Sequence, residues 1–204
     1  MIYTIGYATK PLPDFIAQLN KYQITAVCDV RSVPFSKRFY DYHQDAIKRS
    51  LHEAGIRYVY LGEELGPRSK DPAHYDDCNQ VQFDRLMQSD HFMEGLERLR
   101  QGQEKGFTMA LMCAEKDPAT CHRSLLIGYA AKRLFNEELQ HITHNGDLET
   151  QEALETRLKT LHGLEQDLFT PESELRFQAY QQQLKKTSYI KPDANSIHAQ
   201  QRLK

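Results

Sequence analysis

Phe107-Thr-Met-Ala-Leu-Met-Cys113 is the most continuous apolar run in the chain, and a polar loop, Ala114-Glu-Lys-Asp-Pro-Ala-Thr120, follows it. After Cys121-His-Arg-Ser124 comes a helical stripe of Leu125, Leu126, Ile127, Ala130, Ala131 and Leu134. A run this short, bounded by Gly106 and a polar loop, reads as a strand buried on both faces. Working outward, Ile2-Tyr-Thr-Ile5 is a β-rich run closed by Gly6. Thr9, Pro11 and Pro13 then suit a helix start ahead of Phe15, Ile16 and Leu19. Thr25–Val30 and Arg57–Leu61 read as further strands around a helical stripe of Ala46, Ile47, Leu51 and Ala54, which Gly55 is placed to end. Phe83, Leu86, Met87, Met93, Leu96 and Leu99 mark one long helix or two broken near Ser89, and Leu139–Thr143 reads as a last short strand. Strands alternating with helices predict an α/β fold, a mostly parallel sheet of about five strands with helices on both faces.

The chain has 204 residues, enough for one domain with a full core. The pattern divides it into an α/β domain over 1–147, a C-terminal helical extension over 148–186 packing on it, and a flexible tail over 187–204. From Pro171 onward six Lys or Arg face three acids, against 20 and 25 in the preceding body. That basic tail reads either as a contact for an anionic partner or as a solvated terminus. The net charge of −2 excludes nucleic-acid binding through global charge and leaves room for a local basic groove. No apolar run is long enough for a membrane span. Met1-Ile-Tyr-Thr-Ile-Gly6 lacks the basic start and apolar stretch of a secretory signal. Four cysteines, Cys28, Cys78, Cys113 and Cys121, are too few for a disulfide scaffold. Reduced thiols and a cytoplasmic protein are the expectation.

In an open parallel sheet, ligands bind beyond the carboxyl ends of the strands. Gly6, Tyr7 and Thr9 follow the first strand; Asp29, Arg31, Ser32 and Ser36 follow the second; Glu63, Glu64 and Arg68 follow the third. Cys113, Glu115, Lys116, Asp117, Cys121, His122 and Arg123 follow the fourth. With Thr120 as the helix cap, Cys121, His122 and Arg123 would occupy a first turn, where free N–H groups favour an anion and lower a thiol pKa. Arg123 could then hold a phosphate or carboxylate through forked hydrogen bonds. The Cys-to-Arg spacing is longer than in Cys-dependent phosphatases, so that motif is not assigned. The competing reading has both cysteines packed as small apolar residues and Arg123 in an ion pair. Asp29 and Arg31 could neutralise a ligand or brace their own loop, and Glu64 could serve as a general acid or base or stand as an exposed loop acid. Tyr40, Tyr42, Tyr58, Tyr60 and Tyr75 could stack on a base or sugar, or sit half-buried at element ends. Cys113, Cys121 and His122 match no common zinc spacing, so no metal is expected, and no dinucleotide or Walker loop is present.

Four segments in this order resemble the DUF488 family: Thr4-Ile-Gly-Tyr-Ala-Thr9, Asp29-Val-Arg-Ser32 with Pro34 and Ser36, Leu61-Gly-Glu-Glu-Leu-Gly66 with Arg68, and Cys113-Ala-Glu115 leading to Cys121-His-Arg123. The resemblance covers roughly residues 1–147, and implies a prokaryotic source, an α/β fold and functional weight on the same four segments. It supplies no reaction. Family members often read Gly-His-Ser-Thr after the first strand, where this chain has Gly6-Tyr7-Ala8-Thr9. A role for that His or Ser is therefore absent here or taken over by Tyr7.

The leading expectation is an enzyme-like pocket for an anionic ligand, phosphate-bearing, nucleotide or nucleic-acid-derived. Its proposed class is a hydrolase or transferase. Arg31, Arg68 and Arg123 would bind the anion, Cys121 or Cys113 would react, and Asp29 or Glu115 would move protons. The alternative is a non-catalytic redox module in which Cys113 and Cys121 pair reversibly, and a third is a Cys/His metal site. Cofactor and oligomeric state are left open.

Overall fold

The computed structural model describes residues 1–36, 38–166 and 169–192. Five strands pair in parallel: β1 (Ile2–Gly6), β2 (Ala26–Asp29), β3 (Arg57–Tyr60), β4 (Met109–Cys113) and β5 (Gln140–Ile142). A sixth, β6 (Leu148–Thr150), runs antiparallel to β5, giving the order β3-β2-β4-β1-β5-β6. All five expected strands are present. The sixth adds to the about five expected: Leu-Glu-Thr is too short and too polar to stand out, and it pairs because a turn from Thr143 to Asp147 folds it back on β5.

The helices are α1 (Leu12–Lys21), α2 (Gln44–Glu53), α3 (Phe83–Met87), α4 (Asp90–Glu104), α5 (Tyr129–Phe135), α6 (Gln151–Leu161) and α7 (Glu172–Thr187). Phe15 and Leu19 of α1 and Ile47 and Leu51 of α2 pack with Ile5, Val27, Ala110 and Met112 on one sheet face. Phe83, Phe92, Leu96, Leu125 and Leu154 pack with Cys28, Leu111 and Cys113 on the other. Alternation along each strand thus sends β2 and β4 side chains into two separate cores. Gly55, at φ +73°, ends α2 as expected: its left-handed backbone lets Ile56 N–H bond the Leu51 carbonyl at 2.8 Å. The break near Ser89 is real, and Ser89 Oγ caps α4 by accepting from Phe92 N–H at 3.3 Å.

The long polar loop after Arg68 is ordered by its own bonds. Asp76 Oδ1 accepts from the Cys78 and Gln80 N–H groups, and Tyr75 pairs with Val81. The first part of the expected tail is tied to that loop: Gln80 pairs with Ile190, and Lys191 N–H donates to the Asn79 carbonyl at 2.8 Å. The rest of the expected flexible tail, 193–204, lies outside the described residues. No helix among the described residues is long and apolar enough to cross a membrane.

Candidate functional site

The connections β1–α1–β2 and β2–α2–β3 run over one face, and those from β3 to β4 and from β4 to β5 over the other. The loops leaving the adjacent strands β1 and β4 therefore diverge, which opens a crevice at their carboxyl ends. The last pair across it is Gly6 opposite Cys113.

At that crevice four side chains converge. Cys113 Sγ and Cys121 Sγ stand 2.7 and 3.1 Å from the same carboxylate oxygen of Glu115. His122 Nδ1 stands 3.6 Å from Cys113 Sγ and 3.9 Å from Cys121 Sγ. All four donor atoms lie within 4.8 Å of one another. His122 Nε2 lies 2.9 Å from the Val30 carbonyl oxygen. A carbonyl only accepts, so Nε2 carries the proton and Nδ1 turns its lone pair toward the two sulfurs. Cys113, Cys121 and His122 are buried, while Glu115 forms the solvent-side rim.

Burial, together with the neighbouring Cys121, pushes the Cys113 thiol well above the usual thiol range. Burial opposes ionisation of Cys121 too, but its hydrogen bonds with Cys113 and His122 and the positive charge of Arg123 outweigh it, drawing this thiol well below the usual range. Burial raises the Glu115 carboxyl, and the Cys121 sulfur adds to the rise. The two thiols are thus unequal, Cys113 holding its proton more tightly than Cys121.

The loop differs from expectation at its helix start. Pro118–Thr120 form a 3₁₀ turn capped by Asp117, and Thr120 is not the cap of the following helix. Cys121, extended at φ −124° and ψ 140°, stands at that position, and its carbonyl accepts from Ser124 and Leu125 N–H. A π-helical segment, Arg123–Gly128, leads into α5. Wide turns of this kind recur at functional sites.

Arg123 is completely buried. Its NH1 donates to the Glu115 carbonyl at 2.8 Å, NH2 to the Lys116 carbonyl at 3.4 Å and Nε to Thr4 Oγ1 at 3.3 Å. A Cβ on Gly6 would fall 2.0 Å from the Glu115 carbonyl oxygen and 3.1 Å from Arg123, so this glycine makes room for the loop. Behind Arg123, Thr4 Oγ1 meets His141 Nδ1 at 2.9 Å, and His141 Nε2 meets Gln151 Oε1 at 2.9 Å. Because Gln151 Oε1 only accepts, the proton sits on Nε2. Burial then holds the His141 pKa down to about 3, with the Arg123 charge adding to the depression. The C-terminal helices prop the same loop. Arg157 binds Asp117 at 2.8 Å, Gln183 donates to the Ala119 carbonyl at 2.6 Å, and Tyr180 donates to the Leu125 carbonyl at 2.8 Å.

Asp29 and Arg31 belong to the other face. They form a buried two-pronged ion pair, with 2.6 and 2.8 Å contacts, and Arg31 also donates to Tyr7 Oη and to the Tyr42 carbonyl. Tyr58 Oη donates to Asp29 at 2.8 Å, and Tyr7 stacks on Tyr42 at 4.3 Å. The expectation that Asp29, Arg31, Glu115 and Arg123 share one cleft is corrected: the first two join the α1–α2 core, and the last two serve the Cys/His loop on the opposite face. Ser32 Oγ accepts from Arg68 N–H at 3.0 Å, and Ser36 Oγ from Phe39 N–H at 3.1 Å. Ser32, Glu64 and Arg68 line a separate cavity of about 380 Å³, with Glu64 ion-paired to Arg98 and Arg68 over the Tyr189 ring. Thr9 is exposed, at φ +61°. Sequence reasoning missed Thr4, His141 and Gln151, although a polar residue inside a short apolar strand is the available signal for the first two.

No curated protein and no solved structure matches the chain. The family model described as domain of unknown function DUF488 matches residues 11–130. That span includes three of the four resembling segments, with Thr4–Thr9 lying just before it. Covering more than half of the chain and ending within the helix that follows the Cys/His loop, the match makes this protein a member of the DUF488 family.

Proposed function

We propose that this DUF488 domain is a metalloprotein whose centre binds a soft divalent transition metal, zinc first, through Cys113, Glu115, Cys121 and His122. The observation that carries the reading is the convergence of two sulfurs, a carboxylate oxygen and an imidazole nitrogen within 4.8 Å, with the imidazole tautomer fixed by Val30. A tetrahedral zinc with bonds of about 2.0–2.3 Å has ligand–ligand edges of roughly 3.3–3.8 Å. The two sulfur–nitrogen separations, 3.6 and 3.9 Å, are close to those edges. The carboxylate oxygen needs to back away from the sulfurs by about half an ångström. A second ring nitrogen bonded to a backbone carbonyl is the usual outer support of a metal-bound histidine. Mixed thiolate, imidazole and carboxylate donors suit zinc better than magnesium or calcium.

Glu115, hard and at the rim, is the ligand able to leave. Its departure would keep a Cys₂His set and open a fourth position to water or substrate, the arrangement of a catalytic rather than a closed site. The Cys/His loop thus remains the reactive element expected from sequence. Its anion-binding part is set aside because Arg31 and Arg123 already donate to protein groups.

Elemental analysis of the protein purified without added chelator tests this. About one zinc per chain is expected, falling to background in Cys113→Ser and His122→Ala. Metal-free protein that also fails to take up zinc in titration would overturn it. A second reading is favoured by the two thiols meeting at one carboxylate: a reversible Cys113–Cys121 disulfide. Loss of two countable thiols on mild oxidation, with no metal bound before it, would select that reading.

A further inference from the structure

We infer that the outer face of α2, with the loop before it, is a single-stranded nucleic-acid binding surface distinct from the Cys/His centre. Leaving out Arg31, which is buried against Asp29, residues 32–58 hold five Lys or Arg against three acids, while the rest of the chain holds 21 against 25. In a chain of net negative charge this is the local basic region that polyanion binding requires.

The cations are arrayed, not scattered. Lys48, Arg49 and His52 fall at spacings of one, three and four residues, which places them on one side of α2. Together with Arg57 at the start of β3 they line an open groove of about 650 Å³, in which Asp45 is the one acid. Lys48, Arg49 and Arg57 are exposed and have no ion-pair partner among the described residues, unlike Arg98, Arg100, Arg157 and Arg176.

The second observation is aromatic. At the amino-terminal end of α2 two rings stand out in solvent, Tyr40 at 70% and Phe35 at 56% exposure. His43 lies between them, 4.3 Å from Phe35 and 5.3 Å from Tyr40 by ring centroids. Exposed Arg38 stands in the same loop. Exposed rings at one end of a helix that carries exposed cations along its side are what a single strand uses: bases stack, and phosphates follow the charges. An acidic protein partner would account for the cations but gives the exposed rings no role.

Fluorescence anisotropy with a labelled oligothymidylate tests the surface, using the full chain. Binding at about 50 mM salt is expected, weakening as salt rises with a log–log slope of about −0.7 for each phosphate engaged. Lys48→Ala with Arg49→Ala should weaken binding about tenfold and make that slope shallower. Phe35→Ala with Tyr40→Ala should weaken it about tenfold at every salt concentration and leave the slope unchanged. All four side chains are exposed, and circular dichroism checks that each variant is folded. Absence of an anisotropy change at low salt, wild-type binding by both double variants, or equal competition by polyglutamate would each overturn the inference.

Discussion

His122 Nε2 lies 2.9 Å from the carbonyl oxygen of Val30, so the residue that follows β2 decides which nitrogen β4's loop presents to the two sulfurs. A backbone group sets the tautomer, and no side-chain substitution at Val30 removes it. Metal binding at this centre must displace thiol protons, because thiolate and not thiol is the ligand. Calorimetric zinc titrations in buffers of different ionisation enthalpy should therefore report proton release, and apparent affinity should rise from pH 6 to pH 8. A pH-independent affinity would exclude thiolate ligation.

Thiol accessibility follows from burial. Cys78 is the exposed cysteine, whereas Cys28, Cys113 and Cys121 are 2%, 3% and 1% exposed. Burial also pushes the Cys28 thiol up to about 12. A disulfide reagent should titrate one thiol rapidly in the native protein, and Cys78→Ser should abolish that phase. The remaining three thiols should appear only on unfolding. Two fast thiols in the native holoprotein would contradict the packing.

Gly6→Ala should cost about 2–4 kcal/mol, because its methyl group overlaps backbone and not a yielding side-chain tip. Gly106→Ala provides the contrast. Gly106 has φ +84° and open space around its would-be Cβ, so only the left-handed backbone penalty of about 1 kcal/mol applies. Urea unfolding of the two variants checks the ranking. Gly6→Ala alone should also lower metal content, since it displaces the Glu115 backbone.

His141 supplies an acid-sensitive term. Its folded pKa of about 3 lies below the unfolded value near 6.5, so the unfolded chain binds the proton first as pH falls. The stability it contributes is complete above about pH 6.5 and is lost progressively toward pH 3, with about 2 kcal/mol gone by pH 5. Urea midpoints at pH 5 and pH 7 should differ less in His141→Gln, whose amide can replace both hydrogen bonds without titrating. An unchanged pH dependence in that variant would assign the acid sensitivity elsewhere.

Much of this architecture is legible before any coordinates. Phe107–Cys113 declares a buried strand by its apolar continuity, and Cys113, Glu115, Cys121 and His122 can be suspected together because one loop carries them all. What hides is orientation. Asp29 pairs with Met112 in register, so it shares that residue's face and not that of Cys113; one residue of register separates a common cleft from two cores. Arg123 looks like an anion ligand for a related reason: a guanidinium in sequence does not reveal that its partners are carbonyls of its own loop. The proposed metal set is hidden in a similar way, since a carboxylate between the two cysteines falls outside the usual Cys and His spacings.

The props beneath the Cys/His loop come from outside the stretch that defines the family. Arg157, Tyr180 and Gln183 all lie beyond residue 130, yet they grip Asp117, Leu125 and Ala119. A chain cut after residue 147 would keep every candidate ligand and forfeit the scaffold that holds them in place. Chemistry and mechanical support therefore have separate addresses in this sequence. The ligands could be inherited intact while substitutions in α6 and α7 retune how tightly the loop is clamped, and with it how readily Glu115 lets go.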